Sequence, residues 1–333
     1  MRPALFWNGV VQMIRFGIVG AGNIAHRFAA SLAHETRARL VAVSCRTEKK
    51  AQSFLDEVGC AQDVRAYGGH EALLQDDEVN AIYLALPHTL HHEWALRALR
   101  AGKAVLCEKP AMLTALQMED VANVARDQNV LFMEAMKPRF VPLYPHVVEA
   151  VREIGPLSHV DATLCNDMLD AVEGSGTYHM TPGPGSGVLL DCGTYCASWI
   201  EAFCPQGLGL VSVDSNVVDG VDAYVDARLG LGDMTARLEC AFDRAKPRVA
   251  TLVGAHGRIV VEELHRTTRA TVLVDGQAER VLEVPYEVDD FFGEIHHFVD
   301  LLEQGVTESP IMSLEDSVNC AAVLDAIRAG LAS

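Results

Sequence analysis

The fold class this sequence predicts is α/β: an N-terminal doubly wound parallel sheet, then a second α/β domain on a large, mostly antiparallel open sheet. Three observations predict it. Short apolar runs alternate with helix-spaced apolar stripes up to about residue 135. A Gly-Ala-Gly-Asn-Ile-Ala turn directly follows the first run. From about residue 208 to 285, β-type runs succeed one another across short turns, the pattern of an antiparallel sheet.

The elements follow in order. Residues 14–20, IRFGIVG, read as a buried strand, and Ile24, Phe28 and Leu32 as a helical stripe. Residues 39–44 form a second strand, and Ala51, Phe54, Leu55 and Val58 mark a second helix. Residues 79–86 and 104–107 are further strands, flanking a helix marked by Leu90, Trp94 and Ala98 and closed at Gly102. Thr114 with Gln117 has the spacing of a capping box, and VLFME at 130–134 ends the alternating part. Leu143, Val147 and Val151 mark a helix ending at Gly155, and LSHVDATLC at 157–165 is strand-like. Residues 170–187 read as a Gly/Pro/Ser/Thr loop and 188–203 as a helix. Seven β-type runs follow, with turns placed at Gly230, Gly257 and Asp275-Gly276. Two helices close the chain: Phe292, Ile295, Val299 and Leu302 mark one, and Ser313 with Asp316 caps the other.

Composition narrows the function. The 333 residues carry a net charge of −18, which repels a nucleic-acid backbone. No apolar run reaches the roughly 18 residues that span a membrane, and residues 1–12 lack signal-peptide order. The nine cysteines include no C-x-x-C, and Cys192 with Cys196 lacks the further ligands of a zinc site, so no metal is expected. Scattered thiols of this kind suit a reduced, cytoplasmic protein.

Four motifs carry chemistry. In Gly20-Ala21-Gly22-Asn23-Ile24-Ala25, Gly20 permits a tight turn, Gly22 lets backbone approach a pyrophosphate, and Ala25 allows close helix packing. The phosphates would sit at the helix N-terminus, with Asn23 and Ile24 in its first turn. The strand end Ser44-Cys45-Arg46 lacks the carboxylate that usually binds the ribose 2′-hydroxyl of NAD, and Arg46 offers a cation to a 2′-phosphate; a solvated surface charge is the other reading. Glu108-Lys109-Pro110 follows a strand at the carboxyl end of the sheet, where open α/β folds bind ligands; by itself it reads more readily as an exposed ion pair. Asp191 and Tyr195 lie four apart on one helix face, a spacing that suits proton transfer or substrate orientation, or an ordinary surface pair. His91-His92-Glu93 and His296-His297 lack H-E-x-x-H spacing.

Together these motifs resemble the glucose–fructose oxidoreductase, inositol dehydrogenase and dihydrodiol dehydrogenase family, from about residue 14 to 330. The resemblance is densest in IRFGIVGAGNIAHRFAASL, AIYLALPHTLHHEWALRALRAGKAVLCEKPA, FMEAMKPRF and GSGVLLDCGTYC. It implies that Pro87, His88 and His91 stand beside the nicotinamide end, although His88 departs from the family's Asn. It implies that Lys109, after Glu108, lies at the nicotinamide and substrate, that Arg139 is near the cofactor, and that Asp191 and Tyr195 serve the substrate. Tyr195 and Arg46 together look most like the dihydrodiol and D-xylose dehydrogenase branch.

The expected domains are an extension at 1–12, a dinucleotide-binding domain at 13–136, and a substrate-binding and oligomerisation domain at 137–333. The leading functional reading is a dehydrogenase or reductase that prefers NADP, NAD remaining possible, and acts on a sugar, polyol or vicinal diol. An NAD-dependent inositol-type dehydrogenase and a non-catalytic dinucleotide-sensing regulator are the alternatives. Lys109 and Tyr195 are expected to meet beside the nicotinamide, with Tyr195 or Lys109 exchanging the proton and Asp191 orienting the substrate. A large sheet with one uncovered apolar face predicts a homodimer, or a dimer of dimers, formed sheet to sheet.

Overall fold

The computed structural model describes residues 13–60, 63–169 and 178–331. The extension at 1–12 and residues 170–177 of the Gly/Pro loop lie outside this range. The chain forms two compact units. One comprises the chain up to Met112 with Leu116–Ala135 and Val288–Leu314; the other comprises Leu113–Ala115, Met136–Glu287 and the chain from Glu315.

The first unit is built on a parallel six-stranded sheet, in the order β3 (Arg65–Gly68), β2 (Ala38–Cys45), β1 (Ile14–Val19), β4 (Ala81–Leu84), β5 (Ala104–Glu108) and β6 (Phe132–Ala135). Helices α1 (Asn23–Leu32), α2 (Glu48–Glu57), α3 (His70–Leu74), α4 (His91–Arg100) and α5 (Ala115–Gln128) join or follow the strands. All residues of β4 and β5 are buried, because helices cover both faces of a parallel sheet, and this explains their unbroken apolar runs. Strand order reverses between β1 and β4, which opens the crevice at the carboxyl ends of the strands where such sheets bind ligands. The short β3 escapes the sequence reading because Arg-Ala-Tyr-Gly has no apolar run and no buried residue, and α3 because its five residues are too few to show a helical period.

The second unit carries an eight-stranded sheet, in the order β14 (Arg280–Glu283), β13 (Arg269–Val274), β12 (Gly257–Glu262), β11 (Val249–Gly254), β7 (Leu157–Cys165), β10 (Met234–Ala241), β9 (Val221–Leu231) and β8 (Gly209–Val218). Every pairing is antiparallel except β7 with β10. The turn after β9 falls at Gly232, whose φ is 59°, and not at Gly230, which lies inside the strand. One sheet face packs Val160, Ala162, Leu164, Val225 and Leu238 against the segment 143–154, which includes α6 (Tyr144–Ala150), and against α7 (Thr194–Phe203), entered through a π turn at Leu189–Gly193.

The alternate residues of β7, β9 and β10 form a charged lattice. Arg237 lies 2.8 Å from Asp226 and 3.0 Å from Glu239, and Tyr224 donates to Glu239 at 2.8 Å. The apolar open face that motivated a sheet-to-sheet dimer is therefore absent from these strands; cross-strand ion pairs occupy it instead.

Two late helices complete the chain. Helix α8 (Phe292–Gln304) packs beside α1 in the first unit, with Phe298 5.8 Å from Phe16 between ring centroids. Helix α9 (Leu314–Leu331) runs in the second, where Leu324 and Ile327 join the core.

Candidate active site

The glycine-rich turn behaves as its spacing requires. Gly20 has φ 97°, and a Cβ there would stand 2.5 Å from the Ala85 carbonyl oxygen of the neighbouring strand end. A Cβ on Gly22 would meet nothing within 4 Å. Gly22 caps α1 without a side-chain hydrogen bond, so the backbone N–H groups of the first turn, which starts at exposed Asn23 and half-buried Ile24, border open space. That combination fits a dinucleotide pyrophosphate.

At the end of β2 the three candidate residues part company. Ser44 is fully buried, and its hydroxyl lies 2.8 Å from His70 Nδ1, so it faces the interior and not a ribose. Burial pushes the Cys45 thiol up, against the pull of the Ala21 amide and of the cations Lys50 and Arg46. Arg46 itself is exposed at the mouth of the strand end. Two cations, Arg46 and Lys50, thus bear on this corner, where sequence reading found only one.

The turn that bears Lys109 is pinned from three directions within the first unit. Glu108 is buried; it accepts from the Tyr83 hydroxyl, and from the Lys109 amide at 3.2 Å. His91 is fully buried, with Nδ1 3.1 Å from the Pro110 carbonyl and Nε2 2.7 Å from that of Leu86. Burial lowers the His91 pKa, against those carbonyls. Glu134 accepts from the Ala111 amide at 2.8 Å. Lys109 is half-buried. His88 is buried beside His91, ring centroids 5.6 Å apart, and Pro87 is exposed. His91 and Glu108 therefore hold the turn that carries Lys109.

In the second unit, Asp191 and Tyr195 are the two residues of the stretch 187–201 that are not buried. The π turn preserves their shared face, so the spacing read from sequence survives although the local helix is not α throughout. Lys137, buried in the turn after β6, places Nζ 6.0 Å from the Tyr195 ring centroid, and the His265 ring lies 5.9 Å away. Sequence reading singled out neither residue; Lys137 lies within the FMEAMKPRF segment, where Arg139 alone drew a role from the resemblance. Arg139 is 4% exposed and binds inward: Nε donates to Ser198 Oγ at 2.9 Å, and Nη2 to Ser198 O at 2.8 Å and to Glu201 at 2.6 Å. Its described bonds fasten α7, where the resemblance implied a cofactor contact.

Among the described residues, no cluster of His, Cys, Asp or Glu has metal-binding geometry, and no helix is long and apolar enough to cross a membrane.

The sequence pattern of the oxidoreductase family with an NAD-binding Rossmann fold matches residues 14–136. A D-xylose 1-dehydrogenase (NADP(+)) of Haloferax volcanii is 30% identical, over 94% of this chain and 95% of its own length. A trans-1,2-dihydrobenzene-1,2-diol dehydrogenase of Mus musculus is 30% identical, over 95% of this chain and 96% of its own length. Among solved structures, a 3-ketoreductase from Actinomadura kijaniata in complex with NADP and TDP-benzene superposes with a TM-score of 0.83 at 28% identity, covering 95% of this chain and 97% of that one.

Proposed function

The chain belongs to this oxidoreductase family with an NAD-binding Rossmann fold, and from that premise we propose that it is an NADP-preferring dehydrogenase or reductase of a sugar, polyol or vicinal diol. The relatives named for D-xylose and a trans-diol support this substrate class, since both substrates present a secondary alcohol beside a further hydroxyl.

The roles follow from the residues. Gly20, Gly22 and the first turn of α1 bind the pyrophosphate through backbone N–H groups. Arg46, with Lys50 beside it, meets the 2′-phosphate, and no carboxylate at Ser44 or Cys45 opposes it. A bound nicotinamide supplies the hydride acceptor, or the donor in the reverse direction. Tyr195 Oη takes the proton of the substrate hydroxyl as the carbonyl forms, and returns one in reduction. A neighbouring cation favours the phenolate that does this, and Lys109 is assigned that task. Asp191 accepts a hydrogen bond from a further substrate hydroxyl. The alternative division gives the proton to Lys109 Nζ and leaves Tyr195 as an anchor.

The observation that carries the reading is the pinning of the Lys109 turn. Three buried side chains, Glu108, His91 and Glu134, act on its backbone, which is the support a preorganised group needs. The test is NADP reduction with D-xylose, scyllo-inositol and trans-1,2-cyclohexanediol, alongside NADP and NAD titrations. Turnover of a member of the panel with tighter NADP binding is expected. NADP binding without turnover of any sugar, polyol or diol would overturn the enzymatic reading.

A further inference from the structure

We infer that Lys137 is a positioning residue that sets the ionisation of Tyr195. This deepens the reading above and rests on Tyr195 as the proton-exchanging phenol.

The geometry lies within one unit. Lys137 is 7% exposed, and its ammonium stands 6.0 Å from the Tyr195 ring centroid. The separation is locked at both ends. Pro138 fixes its own φ in the short turn Lys137–Arg139. Arg139, two residues after Lys137, is bonded to Ser198 and Glu201 on the helix that carries Tyr195. The turn and the helix therefore cannot slide apart without breaking a buried ion pair. Lysine is rarely buried without an electrostatic task. A unit charge about 6 Å away, at the effective dielectric of a protein site, shifts a phenol by roughly one to two pH units.

Other titratable groups face Tyr195 or the elements packed against it. His265 approaches from the loop after β12, with ring centroids 5.9 Å apart. Asp191 lies one turn earlier on the same segment, and Glu201, two turns later, is paired with Arg139. Beneath the helix, Asp161 and Glu239 bear on Cys196, while Tyr144 of α6 lies against Arg139 and Glu201. Lys109, assigned above to the same step, is the cation from which the test must separate Lys137.

The experiment follows the tyrosine Cζ resonance of Tyr195 by NMR through a pH titration of the full chain with NADP bound, the signal being identified by its loss in Tyr195→Phe. Lys137→Met and Lys137→Gln should each raise the midpoint by about one to two pH units, and Lys137→Arg by less than about half a unit. The same shift should persist in a Lys109→Met background. In alcohol oxidation, which needs the phenolate, the acid limb of kcat, where rate is lost as the phenol is protonated, should move to higher pH by the same amount. An unmoved midpoint in folded Lys137→Met and Lys137→Gln proteins would overturn the proposal even if the enzyme is fully active. A moved midpoint beside near-normal kcat in Tyr195→Phe would instead overturn the functional reading of Tyr195.

Discussion

Two arginines, one inside each unit, act by the same device in different surroundings. In the first unit, Arg37 gathers Glu35 at 2.8 Å, Asp300 at 2.6 Å and Glu303 at 3.0 Å, tying the turn after α1 to helix α8. In the second, Arg139 binds Glu201 at 2.6 Å and Ser198, tying the turn after β6 to α7. The Arg37 side chain is 28% exposed and the Arg139 side chain 4%. Water therefore screens the first clamp and hardly reaches the second. A half-wet cluster fastens a structural helix, whereas a dry one holds the helix that carries Tyr195. Their carboxylates, both buried, shift in opposite directions. Burial would raise Glu35, but hydrogen bonds from Arg37 and His296 outweigh it and hold the group at about 2. At Glu201 burial wins over the attraction of Arg139, and the pKa is raised.

The largest difference should appear on breaking the dry clamp. Arg139→Met leaves Glu201 buried without its guanidinium and should destabilise the protein by about 3–5 kcal/mol. Urea unfolding measures this, and a loss under about 1 kcal/mol would show that the burial difference does not matter.

Acid should separate the clamps next. The folded Glu35 pKa is depressed from 4.5 to about 2, so its contribution is present above the unfolded value and is lost as pH falls through that window. Glu35→Gln should cost up to about 3 kcal/mol at pH 7, and the gap to the unmodified protein should close on acidification. Glu201, raised by burial, works the other way: its ionisation opposes folding as pH rises, and protonation relieves it. A gap for Glu35→Gln that widens in acid would reverse the assignment.

The smallest effect belongs to the exposed cation with no such clamp. Arg46→Ala should weaken NADP binding about tenfold and leave NAD binding within about twofold, by isothermal titration. Equal losses for both cofactors would detach Arg46 from the 2′-phosphate.

What was legible in the sequence was local. The glycine turn, the Glu-Lys-Pro strand end and the Asp191/Tyr195 spacing each lie within a few residues, where steric and helical rules act directly. The alternating strands of the second sheet were readable too, but not the chemistry of their outer face, because Arg237, Asp226 and Glu239 meet only through strand register. The pins on the Lys109 turn come from 19 and 23 residues away, through His91 and Glu134. Lys137 and His265 reach Tyr195 from a turn and a loop that no periodicity marks. Ser44 illustrates the opposite case: it lies in the candidate cofactor-binding strand end, yet its hydroxyl meets His70, a partner 26 residues away that no local pattern marks.

The central assignment, that Lys109 and Tyr195 carry the proton chemistry of an NADP-dependent alcohol oxidation, is tested most directly by kcat in Lys109→Met and Tyr195→Phe, with NADP affinity measured on the same preparations. Each substitution should lower kcat by at least about a hundredfold while NADP affinity stays within about threefold. A near-normal kcat in either variant would contradict that residue's place in the mechanism.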